Sequence, residues 1–240
     1  MNGVWLIARR ELSAYARSPL GAVIIAVALL INGILFYVDS ISRQLFSGEA
    51  LAKFFYNSSG LTAVAALLLS FRLIAEERQT KTFTLLNTSP ISGAEIVVGK
   101  FVSAFVMVAL MTVLSLYMPF LLYFTGKVSL GHIVVGYLGL FAIGSASTAI
   151  GLFASSVTKH QVIAVIVGAG ILAVLFVMWM VATVTEAPVN EYLSGLAFHH
   201  LNFSSFQLGI LELRGVAYYL VVTYVFLFGA TKVLEARRWQ

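Results

Sequence analysis

Cysteine is absent from this 240-residue chain, which excludes disulfides and thiolate-based metal or redox centres and leaves the compartment open. Charge is scarce: 10% of residues are Asp, Glu, Lys or Arg, against about 25% in an ordinary soluble domain. With 60% of the residues hydrophobic, soluble packing cannot hide the apolar sequence, so the solvent for most of it is a lipid bilayer. Two further absences narrow the function. The nearest candidate for a phosphate cradle, Gly93 to Lys100, has five residues between its glycines instead of four, and Phe101 stands where Ser or Thr would hold magnesium. Nucleotide binding has no motif here, so any energy must come from a partner. Nor does any Asp, Glu, Lys or Arg fall at the mid-depth of an apolar run, where proton- and ion-coupled transporters place them. That argues against a secondary transporter.

What is present is a series of apolar runs separated by polar stretches. Residues 3–17 mix Val4, Trp5, Leu6 and Ile7 with Arg9, Arg10, Glu11 and Arg17, the pattern of a basic amphipathic helix lying on a membrane face with an aromatic anchor. Ser18 and Pro19 then form a helix start, serine as cap and proline in the first turn. Twenty uncharged residues follow, Pro19 to Val38, enough at about 1.5 Å each to cross a ~30 Å hydrocarbon core. A signal peptide would have a shorter core and a small-residue cleavage site, and Tyr37-Val38-Asp39 offers none, so the segment is expected to be retained. The expected spans are 19–38, 54–75, 100–125, 132–157, 161–185 and 215–234, six in all.

The net charge of +5 points to no nucleic-acid partner in a chain of this kind; its distribution matters more than its size. Eleven of the 15 Lys and Arg fall on the side holding both termini and residues 76–98, and four fall on the other, while the acids divide five to five. The cationic bias puts both termini in the cytoplasm.

The long polar interruption Phe71–Lys100 carries Glu76, Glu77, Arg78 and Lys81, then Phe83, Leu85, Leu86 and Pro90. Read as a helix, Thr82, Phe83, Leu85 and Leu86 share one side, with Glu76, Glu77 and Lys81 mostly turned away. Pro90 ends it, and Ser92 with Glu95 three residues on reads as a capping box for the next helix. A short amphipathic helix at a membrane surface suits docking to a soluble partner.

This segment resembles the EER-x-x-GT-x-E-x-LL-x-x-P pattern that follows the second membrane helix in permeases of the ABC-2 exporter class, matching at Glu76, Glu77, Arg78, Thr82, Leu85, Leu86 and Pro90. Lys81 stands where glycine is usual and Thr84 where glutamate is usual. The resemblance implies that residues 76–90 form a cytoplasmic coupling helix seated in a cleft of an ABC ATPase dimer, with ATP and magnesium on that partner and no cofactor in this chain. It also implies a second permease copy or paralogue, and a multi-pass protein of the bacterial inner (cytoplasmic) membrane. Within the class, the run from His199-His200 through Phe206, the segment Gly209–Arg214 and the terminal Arg237-Arg238-Trp239 look most like gliding-motility-type permeases. That likeness implies an auxiliary membrane protein with a large periplasmic domain. Such assemblies export a substrate or transmit force across the membrane.

Other residues admit plainer readings. Ser147, Gly151 and Ser155 repeat every four positions, a small-residue stripe for close helix packing. Asn32, Ser145 and Thr148 fall mid-span and suit interhelical hydrogen bonds, with pore lining as the alternative. Lys159-His160 forms a second tight cytoplasmic corner, open to the same partner. Adjacent His199 and His200 lack the spacing and third ligand of a zinc site, so interface histidines are favoured. Paired catalysis by Glu76 and Glu77 lacks an accompanying nucleophile or pocket, which favours a solvated face or a partner contact. The outer segment 186–214 is too long for a turn and too apolar for a free loop. Tyr192, Phe198, His199, Phe203 and Phe206 give it rings that suit an ordered outer partner surface, broken by Gly195 and Gly209.

The expected fold is therefore an all-α membrane protein. It has six transmembrane helices, an N-terminal amphipathic interfacial helix, a cytoplasmic coupling helix, and short outer re-entrant or interfacial helices before the last span. The expected function is the permease subunit of an ATP-driven transporter or membrane machine, itself no enzyme; the alternative is a stand-alone channel or facilitator.

Overall fold

Ser18 and Pro19 open the first membrane helix as their chemistry requires. The Ser18 hydroxyl accepts a hydrogen bond from the Leu20 amide at 3.4 Å, and Pro19 fills a position where no N–H is needed. The computed structural model describes residues 3–41, 47–80, 91–126 and 128–236. Among these residues the regular elements are all helical, and no strand occurs. Helix α1 (Gly3–Arg17) precedes α2 (Pro19–Phe36), which runs into a π-helical turn at Tyr37–Ile41. Next come α3 (Ser47–Ser70) and α4 (Arg72–Gln79), parted by a turn at Phe71. Helix α5 (Gly93–Leu114) is followed by α6 (Tyr117–Thr125), α7 (Leu130–Val157) and α8 (Gln161–Val184). Two short helices, α9 (Val189–Leu196) and α10 (His200–Gln207), lead to α11 (Leu213–Ala236).

Six stretches are long and apolar enough to cross a membrane: Pro19–Asp39, Ser47–Gln79, Gly93–Phe124, Leu130–Val157, Gln161–Val184 and Leu213–Ala236. Two of them differ from the lengths expected from sequence. The second runs for 33 residues, roughly 50 Å, against a hydrocarbon layer of roughly 30 Å. Its ends, with Glu49 and Lys53 at one and Glu76 to Gln79 at the other, therefore stand clear of the apolar layer. The third starts at Gly93, where the Ser92 hydroxyl accepts from the Glu95 amide (3.2 Å) and the Glu95 carboxylate accepts from the Ser92 amide (2.9 Å). That span is broken at Ser115-Leu116. The Ser115 hydroxyl donates to Thr112 O at 2.7 Å, so the Tyr137 hydroxyl 3.0 Å away is the donor of their shared contact.

Helices α3 and α7 form the interior. In each, 67% of the most apolar window is buried inside the chain, against 22% for α2, 17% for α8 and 11% for α11. The three peripheral helices thus turn most of their apolar surface to lipid. Small residues let α7 sit against α3: Gly151 faces Leu67 and Ser70, and the hydroxyl of Ser147 turns back on Ile143 O at 2.8 Å. In the half of the bundle farther from the described chain ends, Ser58 on α3 donates to Asn32 Oδ1 on α2 at 3.0 Å, an interhelical bond buried in the apolar layer.

The described chain ends meet at one face of the bundle. Gly3 lies against Ile91 and Glu95, and Gly93 lies against Leu234 and Glu235. On the same face α1 packs along α5 with its buried Ile7 and Ala8. Gly99 permits this approach. A Cβ there would stand 2.8 Å from the Cβ of Ile7 and 2.9 Å from the Val4 carbonyl, so any larger residue would push the helices apart.

Candidate functional site

The strongest concentration of polar chemistry lies on the face that holds the chain ends, where α1, α4, α5 and α7 converge. Helix α4 buries Leu73, Ile74 and Ala75, exposes Glu76 and half-buries Glu77 and Arg78. One side is fastened to the end of α7. The Ser155 hydroxyl accepts from the backbone amides of Ile74 (3.0 Å) and Ala75 (2.9 Å). Arg78 donates to the carbonyls of Ser156 and, at 3.1 Å, Thr158. A guanidinium at the carbonyl end of a helix is favoured by both the open acceptors and the helix dipole.

The other side of α4 faces α1 and α5 across a charged seam. Lys100, on the second turn of α5, is completely buried. Its ammonium donates to Glu11 Oε1 of α1 at 2.9 Å and to the Leu73 carbonyl at 2.7 Å, and pairs with Glu77 Oε1 of α4 at 3.1 Å. Arg10 closes the ring by donating to Glu11 Oε1 at 2.7 Å and to Glu77. Burial alone would raise the carboxyl of Glu11, but the charge of Lys100 and the hydrogen bonds and charge of Arg10 prevail and hold it below the ordinary glutamate range. One buried cation thus satisfies two carboxylates from helices far apart in sequence.

Beside this ring opens a cleft of about 450 Å³, lined by Arg10, Ser18, Arg72, Glu76, Glu77 and Thr80 among others. The guanidinium of Arg72 lies 4.8 Å over the ring of Tyr15 and 3.5 Å from Ser18 Oγ, and the Tyr15 hydroxyl donates to the Leu69 carbonyl. Burial raises the Tyr15 phenol above its usual range. Lys159 and His160, expected to share a partner with this region, are exposed at the corner after α7.

The expected docking residues divide here. Glu76 lines the cleft, Glu77 belongs to the ring, and Arg78 holds α7. Thr82, Phe83, Leu85, Leu86 and Pro90 lie outside the described residues. Sequence reasoning missed Lys100, Glu11 and Arg10 as one unit. The available signal was a lysine seven residues inside a helix whose start is marked by the Ser92 cap.

On the opposite face, α9 and α10 fold back into the bundle. Phe198 donates its amide to Leu175 O at 2.9 Å, nine residues before the end of α8 and so about 14 Å below it. Phe198, Phe203 and Phe206, expected on an outer partner surface, are instead fully buried in the core, with the Tyr219 hydroxyl donating to Phe198 O at 2.7 Å. Phe203 and Phe206 turn inward because α10 lies across α3, α7 and α11 and uses its i, i+3 face for packing, while Phe198 is held just before it by Leu175 and Tyr219. The exposed apolar residues of this segment include Val189, Tyr192, Leu196, Leu208, Ile210, Leu211 and Leu213. His199 pairs with Ser59 Oγ at 2.7 Å, stacks on Phe176 and meets the edge of Tyr56. Gly209 ends α10 with φ of 76°, a conformation that glycine adopts without strain.

A family model described as "ABC-2 family transporter protein" matches residues 5–207. The chain is also similar to a protein of Stutzerimonas stutzeri named "Probable ABC transporter permease protein NosY", with 36% identity over 114 residues. That match covers 46% of this chain and 41% of the relative's length.

Proposed function

The chain belongs to the ABC-2 family of transporter proteins, and from that premise we propose that it couples a separate cytoplasmic ATPase to movement of its membrane helices. A permease is the membrane subunit of such a machine, so catalysis of ATP hydrolysis falls to the partner, which carries the ATP and magnesium. The observation that carries the reading is α4. Its Glu76-Glu77-Arg78 stretch stands beyond the apolar layer, while α4 as a whole is bonded to two membrane helices: to α7 through Ser155 and Ser156, and to α5 through Lys100, which holds both Glu77 and the Leu73 carbonyl. A push on this short helix has two routes into the bundle. The coupling surface is Glu76, Glu77 and Arg78 with Thr82, Phe83, Leu85, Leu86 and Pro90, on the cytoplasmic side.

Two copies of this permease, or one copy and a paralogue, complete the membrane unit with two ATPases. The gliding-motility subtype, with a periplasmic companion protein, is the finer form of the proposal. Both export and force transmission are compatible with it. The test is affinity purification from native membranes in mild detergent, comparing the natural chain with a Leu85→Asp, Leu86→Asp double variant. Placing two charges in a buried contact removes several kcal/mol of association, so the ATPase should be lost while membrane insertion persists. Undiminished association would remove Leu85 and Leu86 from the contact, whereas absence of an ATPase from the natural chain, or transport that continues after ATP depletion, would favour a stand-alone channel instead.

A further inference from the structure

Where α2, α3 and α5 meet, a small cavity lies inside the bundle, lined among others by Asn32 of α2, Ser58 and Thr62 of α3, Met111 and Thr112 of α5, and Ser115 just after it. It offers about 10 Å³ to the centre of a water molecule, the scale of a single water. Two of its polar side chains are deeply buried, Asn32 at 7% exposure and Thr62 at 3%. Ser58 donates to Asn32 Oδ1 at 3.0 Å, which leaves the Asn32 amide nitrogen over. Among the described residues, nothing pairs with that nitrogen or with the Thr62 hydroxyl.

We propose that this cavity is the binding site of one structural water, which joins α2 to α3 and α5 within the apolar layer. The inference stands apart from the coupling reading, since no residue of α4 takes part. Three features support it. An amide and a hydroxyl left without partners in a dry interior would each keep their desolvation cost, and buried polar groups are rarely left so. Apolar cavities stay dry, whereas polar ones hold a water with roughly two to four polar partners. Those partners are present. Asn32 and Thr62 can donate, and the hydroxyl oxygens of Ser58 and Thr112 can accept, because each has given its own hydrogen elsewhere, Ser58 to Asn32 and Thr112 to Val108 O at 2.9 Å. No charged side chain lines the cavity, so an ion is the poorer fit. The site also suits its place in the fold. Asn32 is the buried polar residue of α2, a helix that turns most of its apolar surface to lipid. Through the water it gains a link to α5 beside its direct bond to Ser58.

The test is X-ray hydroxyl-radical footprinting of the full chain in lipid nanodiscs, read by mass spectrometry. A short pulse splits water into radicals that react close to where they form, so a buried side chain is oxidised when water lies beside it. Met111 lines the cavity and Met118 lies in the apolar core, and both are buried, at 5% and 0% exposure. In the natural chain Met111 should be converted to its sulfoxide several-fold faster than Met118. In an Asn32→Leu, Thr62→Val double variant that excess should be lost. Thr62→Val alone, nearly the same in shape, should reduce it, and Thr62→Ser, which keeps the hydroxyl, should preserve it. Equally slow oxidation of Met111 and Met118 in the natural chain would show a dry cavity and overturn the proposal. So would Met111 oxidation that stays fast in both Thr62→Val and the double variant, because the radicals would then come from water held elsewhere. The single variant keeps the comparison decisive even where the double variant fails to fold.

Discussion

Lys100 and Glu11 meet at 2.9 Å although 89 positions of sequence separate them. The contact joins an interfacial helix to the first turns of a membrane span, and its lysine is fully buried while its glutamate side chain is 13% exposed. Ion pairs of this kind are poor general stabilisers, because desolvation cancels much of the attraction. Their force is in what happens when one partner is lost.

Replacing Lys100 by Met leaves Glu11 and Glu77, both largely buried, with Arg10 as the cation of the ring. Breaking a buried pair in this way costs about 3–5 kcal/mol. The apparent unfolding midpoint of the purified protein, followed by tryptophan fluorescence in one detergent, should fall clearly in Lys100→Met. Adding Glu11→Gln and Glu77→Gln to that variant should recover part of the loss, since the excess negative charge then vanishes. A midpoint unchanged in the single variant would contradict the assignment.

The same ring predicts a pH response. Glu11 is held below its ordinary range when folded, so it contributes stability that is full above the unfolded glutamate pKa. That contribution disappears as pH falls through the lower, folded value. Stability measured from neutral pH downward should decline through the acidic carboxylate range in the natural chain and decline less in Glu11→Gln. Parallel curves for the two proteins would show that Glu11 gains nothing from Lys100 and Arg10.

Much of this architecture is readable in the sequence because it is dictated locally. Six apolar runs, the Ser18-Pro19 start and the Ser92–Glu95 capping box all depend on neighbours within one or two turns. The charged ring does not. Lys100 sits at the border between a polar stretch and an apolar run, where a lysine is ordinarily a solvated end; its burial arises from α1 folding across α5. The inward turn of Phe198, Phe203 and Phe206 was equally hidden. Composition marks such rings as needing cover, but whether a second protein or the chain itself supplies it is settled by where α8 and α11 stand. The break at Ser115 had no strong local mark, since its partner Tyr137 comes from another helix.

Orientation is open to a direct test, because cysteines can be introduced singly. Tyr192 and Gln79 are both exposed and lie toward opposite faces of the bundle. With both termini cytoplasmic, a membrane-impermeant maleimide should label Tyr192→Cys in intact spheroplasts and reach Gln79→Cys after lysis alone. The reverse pattern would invert the topology drawn from the excess of Lys and Arg.

The outer segment offers a test of order at a single side chain. Asn202 is 2% exposed, and its amide donates to two carbonyls at the end of α9, Gly195 O in its last turn at 3.1 Å and Ala197 O just after it at 2.8 Å. Both acceptors lie in a turn that dips into the bundle, where water is scarce and an open carbonyl is costly. The neighbouring Phe198 amide reaches Leu175 O, and Tyr219 holds the Phe198 carbonyl, so the turn is fixed from three sides. Amide hydrogen exchange on the purified protein should therefore be slow from 198 to 208. In Asn202→Ala two buried carbonyls lose their donor, each at a cost of about 1–3 kcal/mol. Exchange should accelerate by one to several orders of magnitude around 195–203, at about tenfold per 1.4 kcal/mol, while α3 and α7 keep their protection. Fast exchange across 198–208 in the natural chain would show that the segment is a loose loop. Unchanged protection in Asn202→Ala would move the organising role from Asn202 to the buried phenylalanines that pack around it.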